Sequence, residues 1–402
     1  MAEQRQESMA GPNGRNGRNI DLEQAVQQRY GGAAHEAEMG LCVPVQYDLS
    51  LLEVIPDEII EKDYGCGDHT KYVHPGETVL DLGSGSGKAS YMISQIVGQQ
   101  GRVIGVDFTE EMLSLARRHQ FSVGDRLGFH NVEFHRGRIQ NLRLDLDLVD
   151  QYLRSNPVRS LEDLTRLRDF EEKLSREKPM IPDESIDVIV SNCVLNLVRP
   201  EDKRQLFFEM YRVLKRGGRI AISDIVSDEP VPDSMKEDPV LWSGCVAGAF
   251  QEEELVGCFE AAGFYGIRVE EMPSEPYQTV EGIEFRSVTL TAYKGKEGPC
   301  IERNHAVIYR GPWKQVVDDD KHTFSRGVRI AVCDKTYEIC SKPPYQDQFI
   351  LVPPREEIPM EKAGPFDCSR DVRRQPSETK GKDYKVTQNS PNICGPGDSC
   401  CP

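Results

Sequence analysis

Thr78-Val-Leu-Asp-Leu-Gly-Ser-Gly-Ser-Gly-Lys88 is the stretch that decides the fold. An apolar, β-type run ends in Asp81, three glycines follow at alternate positions, and a helical pattern then begins. This order predicts a first strand that turns into a first helix, with glycines where the backbone must come close to a ligand. A P-loop is excluded, because Leu82 and Ala89 stand where its first glycine and its Ser or Thr belong.

A second apolar run, Arg102–Asp107, also ends in a carboxylate. In a βαβ unit, an acid at the tip of the second strand faces the Gly-rich turn and accepts hydrogen bonds from both hydroxyls of a ribose. The dinucleotide fingerprint is matched only in part, since Lys88 occupies its sixth position. An ordinary βαβ unit, whose second strand ends in a turn-forming Asp, is the alternative.

Length and composition limit the classes of protein that this chain can belong to. A chain of 402 residues predicts two domains, and 29% charged residues predict a soluble protein. The formal net charge of −17 argues against nucleic acid and anionic membranes as partners. No apolar run reaches the roughly 20 residues that span a bilayer, and the first residues lack a secretory signal. Twelve cysteines therefore indicate soft-metal or redox chemistry in a reducing cytoplasm.

Predicted strands and helices alternate from residue 75 onward. Strands are predicted near 78–82, 102–107, 131–135, 186–191, 218–224, 266–272 and 286–293, and helices near 87–97, 110–119, 201–214 and 251–262. The pattern predicts an α/β fold with a doubly wound, mostly parallel, seven-stranded sheet. Ligands of such sheets lie at the carboxyl ends of the strands. Asp81 to Gly87, Asp107, Ile139 and Ser191 to Cys193 are therefore expected to surround one cleft.

The remaining segments divide the chain into domains. We expect a disordered N-terminus over 1–20, a main domain over 21–295 and a small Cys-rich domain with a flexible tail over 296–402. Within the main domain, residues 21–75 are predicted to form a lid, and 143–180 a helical insertion on the surface. In that insertion Ser160 and Asp163 form a capping box ahead of a helical run of leucines. The tail carries Cys394, Cys400 and Cys401 among Gly and Pro.

Four cysteines lie in Gly-containing loops that the fold brings toward the cleft. Cys193 follows the fourth strand, Cys245 follows the fifth, and Cys42 and Cys66 belong to the lid. Any one of them taken alone is expected to be a small buried hydrophobe. A structural zinc site is disfavoured, because these four cysteines contain no C-x₂₋₄-C pair. Dispersed thiolates favour a soft, thiophilic substrate.

Several motifs make a family resemblance specific. The Gly-rich turn is similar to motif I of the class I S-adenosylmethionine (SAM) methyltransferases, which have a Rossmann-like fold. Tyr64-Gly-Cys-Gly67, Ser191-Asn-Cys-Val-Leu-Asn-Leu197, Tyr211-Arg-Val-Leu-Lys215 and Cys245-Val-Ala-Gly-Ala249 resemble the arsenite methyltransferases. The resemblance covers roughly residues 21–295 and, less distinctively, the Cys-rich segment after them. Two features depart from it: the insertion at 143–180 is longer than expected, and Gly244 stands where relatives often have Glu.

The resemblance implies an activity and a set of site residues. It implies methylation of arsenite to mono- and dimethylarsenicals, as arsenic detoxification, with arsenite arriving as a thiol conjugate. It implies that Cys193 and Cys245 bind As(III), with Cys66 as a third thiolate, and that Cys42 and Cys66 form a disulfide that thioredoxin or glutathione reopens. It implies that SAM is bound by Asp81, Gly83, Ser84, Gly85, Gly87, Asp107, Met112, Ile139 and Asn192.

Two other functions compete with this interpretation. The chain could be a SAM methyltransferase for a small organic acceptor, or a metalloid-sequestering thiol protein without an enzymatic role. We expect a monomer with no nucleic-acid or membrane partner. Product formation that requires both SAM and arsenite would separate the three functions.

Overall fold

The computed structural model describes residues 22–36, 45, 47–62, 64–369 and 372–380. The chain divides into two compact units. The first comprises Met1–Ala262 and Arg268–Thr291, and the second comprises Gly263–Ile267 and Ala292–Pro402. The division after Thr291 lies close to the predicted domain start at 296. Cys42 and the tail cysteines Cys394, Cys400 and Cys401 lie outside the described residues.

A nine-stranded sheet forms the centre of the fold. Its strands are β1 (Thr78–Leu82), β2 (Arg102–Asp107), β3 (Val132–Arg136), β4 (Ile186–Asn192), β5 (Leu214–Ser227), β6 (Phe250–Gln251), β7 (Tyr265–Glu271), β8 (Gln278–Val280) and β9 (Ile283–Tyr293). The order is β3-β2-β1-β4-β5-β9-β7, with β6 beside β5 and β8 beside β9. The strands β3, β2, β1, β4 and β5 run parallel. The predicted α/β fold and all seven predicted strands are confirmed, and β6 and β8 are two short additions.

The sheet order places a cleft at β1. From β1 the chain passes outward to β2 and β3 and then crosses back to β4 on the other side of β1, so the carboxyl ends of β1 and its neighbours open a crevice for a ligand. Val79, Leu80 and Leu82 have no exposed surface, as expected for a strand that is covered on both faces.

Ten helices of the first unit lie in the described residues. They are α1 (Leu22–Ala33), α2 (Asp57–Ile60), α3 (Lys88–Val97), α4 (Glu110–Leu127), α5 (Leu146–Ser155), α6 (Leu161–Glu177), α7 (Pro200–Val213), α8 (Asp233–Lys236), α9 (Pro239–Ser243) and α10 (Glu252–Ala262). The four predicted helices are confirmed. Helix α4 continues beyond its predicted end at 119, because Val123 still packs in the core and the helix stops only at Gly128, whose φ is +79°.

The insertion at 143–180 consists of α5 and α6. One half of the capping box is confirmed, since Asp163 N donates to Ser160 Oγ at 3.1 Å, whereas Asp163 Oδ2 accepts from Arg159 N at 3.0 Å. Helix α6 has no buried residue, as expected for a surface arm. The two ends of the arm meet, because Met180 N donates to the carbonyl of Arg143 at 3.0 Å.

In its described residues, the second unit contains small antiparallel sheets and two short helices. Its elements are β10 (Ile301–Glu302), β11 (Ala306–Tyr309), β12 (Gln315–Val317), β13 (Thr323–Ser325), β14 (Arg329–Ala331), α11 (Asp334–Cys340), β15 (Phe349–Val352), β16 (Gly364–Pro365) and α12 (Pro376–Lys380). The strand orders are β14-β11-β15, β10-β16 and β12-β13. Its core is built on Val307, Tyr309, Phe324 and Phe349. Across the described residues, no helix has both the length and the apolar composition needed to cross a membrane.

Candidate active site

A cleft opens at the carboxyl end of β1, as expected for the ligand site of a sheet of this kind. Eight of the nine predicted SAM-binding residues line it, namely Asp81, Gly83, Ser84, Gly85, Asp107, Met112, Ile139 and Asn192. Gly87 is not among the lining residues. Its φ is +87°, and a Cβ there would lie 2.8 Å from the Phe134 ring, so Gly87 serves the turn and the packing of α3.

The Gly-rich turn leaves room and polar atoms for a ligand. Gly83 has a φ of +72°, and a Cβ there would overlap the Val194 side chain. Ser90 Oγ donates to Asp81 Oδ2 at 2.6 Å and fixes this buried carboxylate. The Ser84 hydroxyl is buried and has no hydrogen-bond partner. Because a buried polar atom is rarely left unsatisfied, Ser84 fits a site that a polar ligand completes.

Asp107 is held in place by two backbone amides. Gly85 N donates to its Oδ2 at 2.9 Å, and Thr109 N donates to its Oδ1 at 2.7 Å. Burial raises the pKa of Asp107, and the amides of Thr109 and Gly85 oppose that rise. Each carboxylate oxygen keeps acceptor capacity, so the residue fits the two hydroxyls of a ribose. Buried Met112 and Ile139 supply apolar walls for a flat base.

Helix α1 covers the cleft, and sequence analysis missed the residues that fasten it. Glu23 on α1 forms two ion pairs. Its Oε1 lies 2.6 Å from Arg138 Nε, and its Oε2 lies 3.3 Å from Arg199 Nη2. The Arg138 guanidinium lies over the Phe108 ring at 4.8 Å. These residues all line the cleft. Single charged residues carry no periodic signal, and only the fold brings the three charges together.

Cys66 is positioned by Asn192. The Asn192 side chain accepts from Cys66 N at 2.8 Å and donates to the carbonyl of Gly67 at 2.8 Å. A Cβ at Gly65 would come within 2.5 Å of Asn192 Nδ2, and a Cβ at Gly67 within 2.4 Å of Ser223 Oγ. The two glycines therefore allow the Cys66 loop to lie directly against β4 and β5.

Cys193 and Cys245 come together over the ends of β4 and β5. Cys245 Sγ donates to the carbonyl of Cys193 at 3.0 Å. Both residues adopt a left-handed backbone, with φ of +55° and +63°, which is uncommon outside glycine and clusters at functional sites. Burial raises the pKa of the Cys245 thiol, and the nearby Asp224 carboxylate raises it further.

Two buried polar residues that the sequence analysis did not select support this pair. Asp224 accepts from Leu195 N and Ile225 N, each at 2.8 Å, and burial raises its pKa to about 6. Asn196 Nδ2 donates to the carbonyl of Cys245 at 3.2 Å. Asn196 belongs to the Ser191–Leu197 motif, and its place in that motif, three residues after Cys193, could have identified it from the sequence.

The structure joins Cys66 and Cys193 in a disulfide, with Cα atoms 6.1 Å apart. The resemblance implied Cys42 as the partner of Cys66, and the pair in this structure is a different one. Cys42 lies outside the described residues. Cys66, Cys193 and Cys245 also share one buried cluster. Three of the four predicted cysteines are thus brought to one end of the cleft.

The sheet order, the Gly-rich turn and the acid at the tip of β2 define a class I SAM-dependent methyltransferase. Residues 73–168 and 165–263 match a family described as a methyltransferase domain, and residues 296–384 match a domain of unknown function.

Curated relatives and a solved structure narrow the class. The arsenite methyltransferase of Aquipseudomonas alcaligenes is 33% identical over 75% of this chain and 80% of the relative. That of Mus musculus is 28% identical over 84% of this chain and 86% of the relative. The crystal structure of CrArsM, an arsenic (III) S-adenosylmethionine methyltransferase from Chlamydomonas reinhardtii, is similar with a TM-score of 0.52 and 27% identity, over 81% of this chain and 100% of that one. This chain belongs to the arsenite methyltransferase family.

Proposed function

We propose that this chain transfers methyl groups from SAM to trivalent arsenic, first to arsenite and then to methylarsenite, and so detoxifies arsenic. The observation that carries the proposal is the placement of Cys66, Cys193 and Cys245 at one end of the cofactor cleft. Thiolates are the ligands that soft ions prefer. A hydroxylated organic acceptor would have no use for them.

Arsenic binding needs no general base on the protein. Arsenite arrives as a thiol conjugate, and the sulfurs of Cys193 and Cys245 replace the carrier thiols, each of which leaves with the proton that a cysteine gives up. Cys66 replaces a third carrier thiol in the same way. When bound in the cleft, SAM would supply the electrophilic methyl group, to which the arsenic lone pair forms a bond as the bond between the methyl carbon and the sulfonium sulfur breaks. The chain contributes mainly positioning, since its cysteines fix the arsenic over one end of the cleft.

Electron balance gives the cysteines a second role. Methylation raises the formal oxidation state of arsenic by two, and two thiolates that each lose one electron to form a disulfide return it to the trivalent state. Cys66 and Cys193 are paired in this structure, and the family resemblance adds Cys42 as another partner of Cys66. Thioredoxin or glutathione is the proposed reductant that reopens the bond. We also propose that the chain is a monomer and that it acts in a reducing cytoplasm.

Replacing each of the four cysteines with serine tests the site, because arsenite and methylarsenite differ in the number of thiolates that they can bind. Arsenite can use three thiolates, whereas methylarsenite has two coordination positions left. We therefore expect C193S and C245S to abolish methylation of both substrates, because a hydroxyl is a poor ligand for a soft ion. C42S and C66S should block arsenite but leave methylation of methylarsenite measurable. The assay is anaerobic product formation with SAM, each arsenical and a thiol reductant.

C258S is the matched control, since Cys258 is half-buried on α10 and lies outside the buried cluster that contains Cys66, Cys193 and Cys245. A C245S variant that methylates methylarsenite at the wild-type rate would disprove the two-thiolate site. Turnover of an organic acceptor without arsenic would instead favour the first alternative function. Arsenic binding without any SAM-dependent product would favour the sequestering protein.

A further inference from the structure

Three cysteines of the second unit converge although they are far apart in the sequence. Cys300 precedes β10, Cys368 follows β16, and Cys333 lies between β14 and α11. The β10–β16 ladder pairs Ile301 with Pro365, and Phe366 N extends it by donating to the carbonyl of Cys300 at 2.9 Å. This register brings the residues on either side of the ladder together.

The three sulfurs form a compact cluster, which we call the Cys300–Cys333–Cys368 cluster. All three Sγ atoms lie within 4.8 Å of one another, and none is in a disulfide. Cys333 is fully buried, while Cys300 and Cys368 are partly exposed, so the cluster has a closed floor and an open side. Cys333 Sγ accepts from Thr336 N at 3.4 Å, and a hydrogen bond of this kind supports a thiolate.

We propose that the Cys300–Cys333–Cys368 cluster is a second binding site for trivalent arsenic, built only from residues of the second unit. Among the residues that the structure describes, no histidine nitrogen or carboxylate oxygen joins the group. Three sulfurs complete the coordination of As(III), because its lone pair takes the fourth direction. Zinc needs a fourth ligand in a structural site. The choice of arsenic over another soft ion rests on the proposed function.

Binding at this cluster is a redox-neutral exchange. Each As–O bond of arsenous acid is replaced by an As–S bond, and each hydroxyl leaves with one thiol proton as water. Three cysteines thus release three waters, and no electron acceptor is needed.

Arsenic stoichiometry of the full-length chain tests the site. Wild type, the triple variant C300S/C333S/C368S and the control C340S are dialysed against sodium arsenite with a non-thiol reductant and without SAM. Cys340 is a buried cysteine of the same unit that does not belong to the cluster. We expect the triple variant to bind one arsenic fewer per chain than wild type and C340S. X-ray absorption on C245S should still show arsenic with three sulfur neighbours.

Single variants keep the test valid if the triple variant does not fold. C300S and C368S alter partly exposed positions and should each weaken binding at this site by at least about tenfold. Unchanged stoichiometry in the folded variants overturns the proposal. So does zinc that occupies the cluster and that excess arsenite does not displace. Methylation at saturating arsenite should be unaffected in the triple variant, which separates failure of this site from failure of the proposed catalytic function.

Discussion

Asp107 is the residue on which cofactor binding depends most directly. Its carboxylate orders the Gly-rich turn through Gly85 N and is the charged acceptor available for a ribose. Asp107→Ala should therefore weaken SAM binding by ~1.5–3 kcal/mol, about 10-fold to 150-fold in Kd. Calorimetric titration with SAM measures the change. Asp125→Ala, at an exposed acid on α4, is the control, and wild-type affinity in Asp107→Ala would refute this role.

His69, three positions after Cys66, gives a pH-dependent prediction. The side chain is fully buried, and neither ring nitrogen has a hydrogen-bond partner. Burial lowers the pKa of His69 from 6.5 to about 4, although the neighbouring Asp68 opposes the change. Between these two pKa values the imidazole is therefore neutral in the folded state and protonated in the unfolded state.

The sign of the effect follows from proton uptake. Between about pH 6.5 and pH 4 the unfolded chain binds more protons at this site, so the contribution to stability is present above that window and is lost as pH falls through it. The loss is on the order of 3 kcal/mol. His69→Leu should flatten this part of the profile of unfolding free energy against pH, as measured by urea denaturation. His74→Leu, at an exposed histidine, should leave the profile unchanged; the same slope in both variants would contradict the assignment.

At the scale of elements, helix α1 lines the cleft and is fastened by charge and by hydrogen bonds, which fits the predicted lid. Glu23 joins it to Arg138 and Arg199. Its other end is attached to α9, because Arg29 Nη1 donates to the carbonyl of Val240 at 2.9 Å and to Ser243 Oγ at 3.1 Å. A Cβ at Gly244 would lie 3.3 Å from Arg29 Nη1. Gly244 therefore lies directly beside the Arg29 guanidinium.

Glu23→Gln should loosen this lid without unfolding the domain. Because both ion pairs are partly exposed, we expect a loss of about 1 kcal/mol, seen as a roughly fivefold faster release of SAM. Stopped-flow displacement measures the release rate. Glu36→Gln changes the charge at an exposed site after α1 and is the matched control. Equal release rates in the two variants would show that α1 does not close the cleft.

At the scale of the whole molecule, the cysteines separate into groups with different expected roles. Three lie at the cleft, three form the Cys300–Cys333–Cys368 cluster, and three belong to the Gly- and Pro-rich tail. The tail group lies outside the alternating strand and helix pattern, and nothing in the proposed chemistry requires it.

A chain that ends at Lys385 should therefore retain methylation at saturating arsenite. The truncation removes Cys394, Cys400 and Cys401 and keeps all the described residues. Product formation over several turnovers is the measurement, and SAM affinity is the folding control. Loss of turnover with intact SAM binding would show that the tail takes part in catalysis.

The sequence by itself determined the fold and most of the cofactor cleft. Strand β1 and the Gly-rich turn are local features, since apolar alternation and glycine spacing act within a few residues, and β2 ends at Asp107 as predicted. Only the tertiary structure decided which distant groups meet. Glu23 reaches Arg138 and Arg199, Asn192 holds the Cys66 loop, and Cys300, Cys333 and Cys368 converge. Such contacts depend on strand register and on chain connections, and a linear pattern of residue types carries neither.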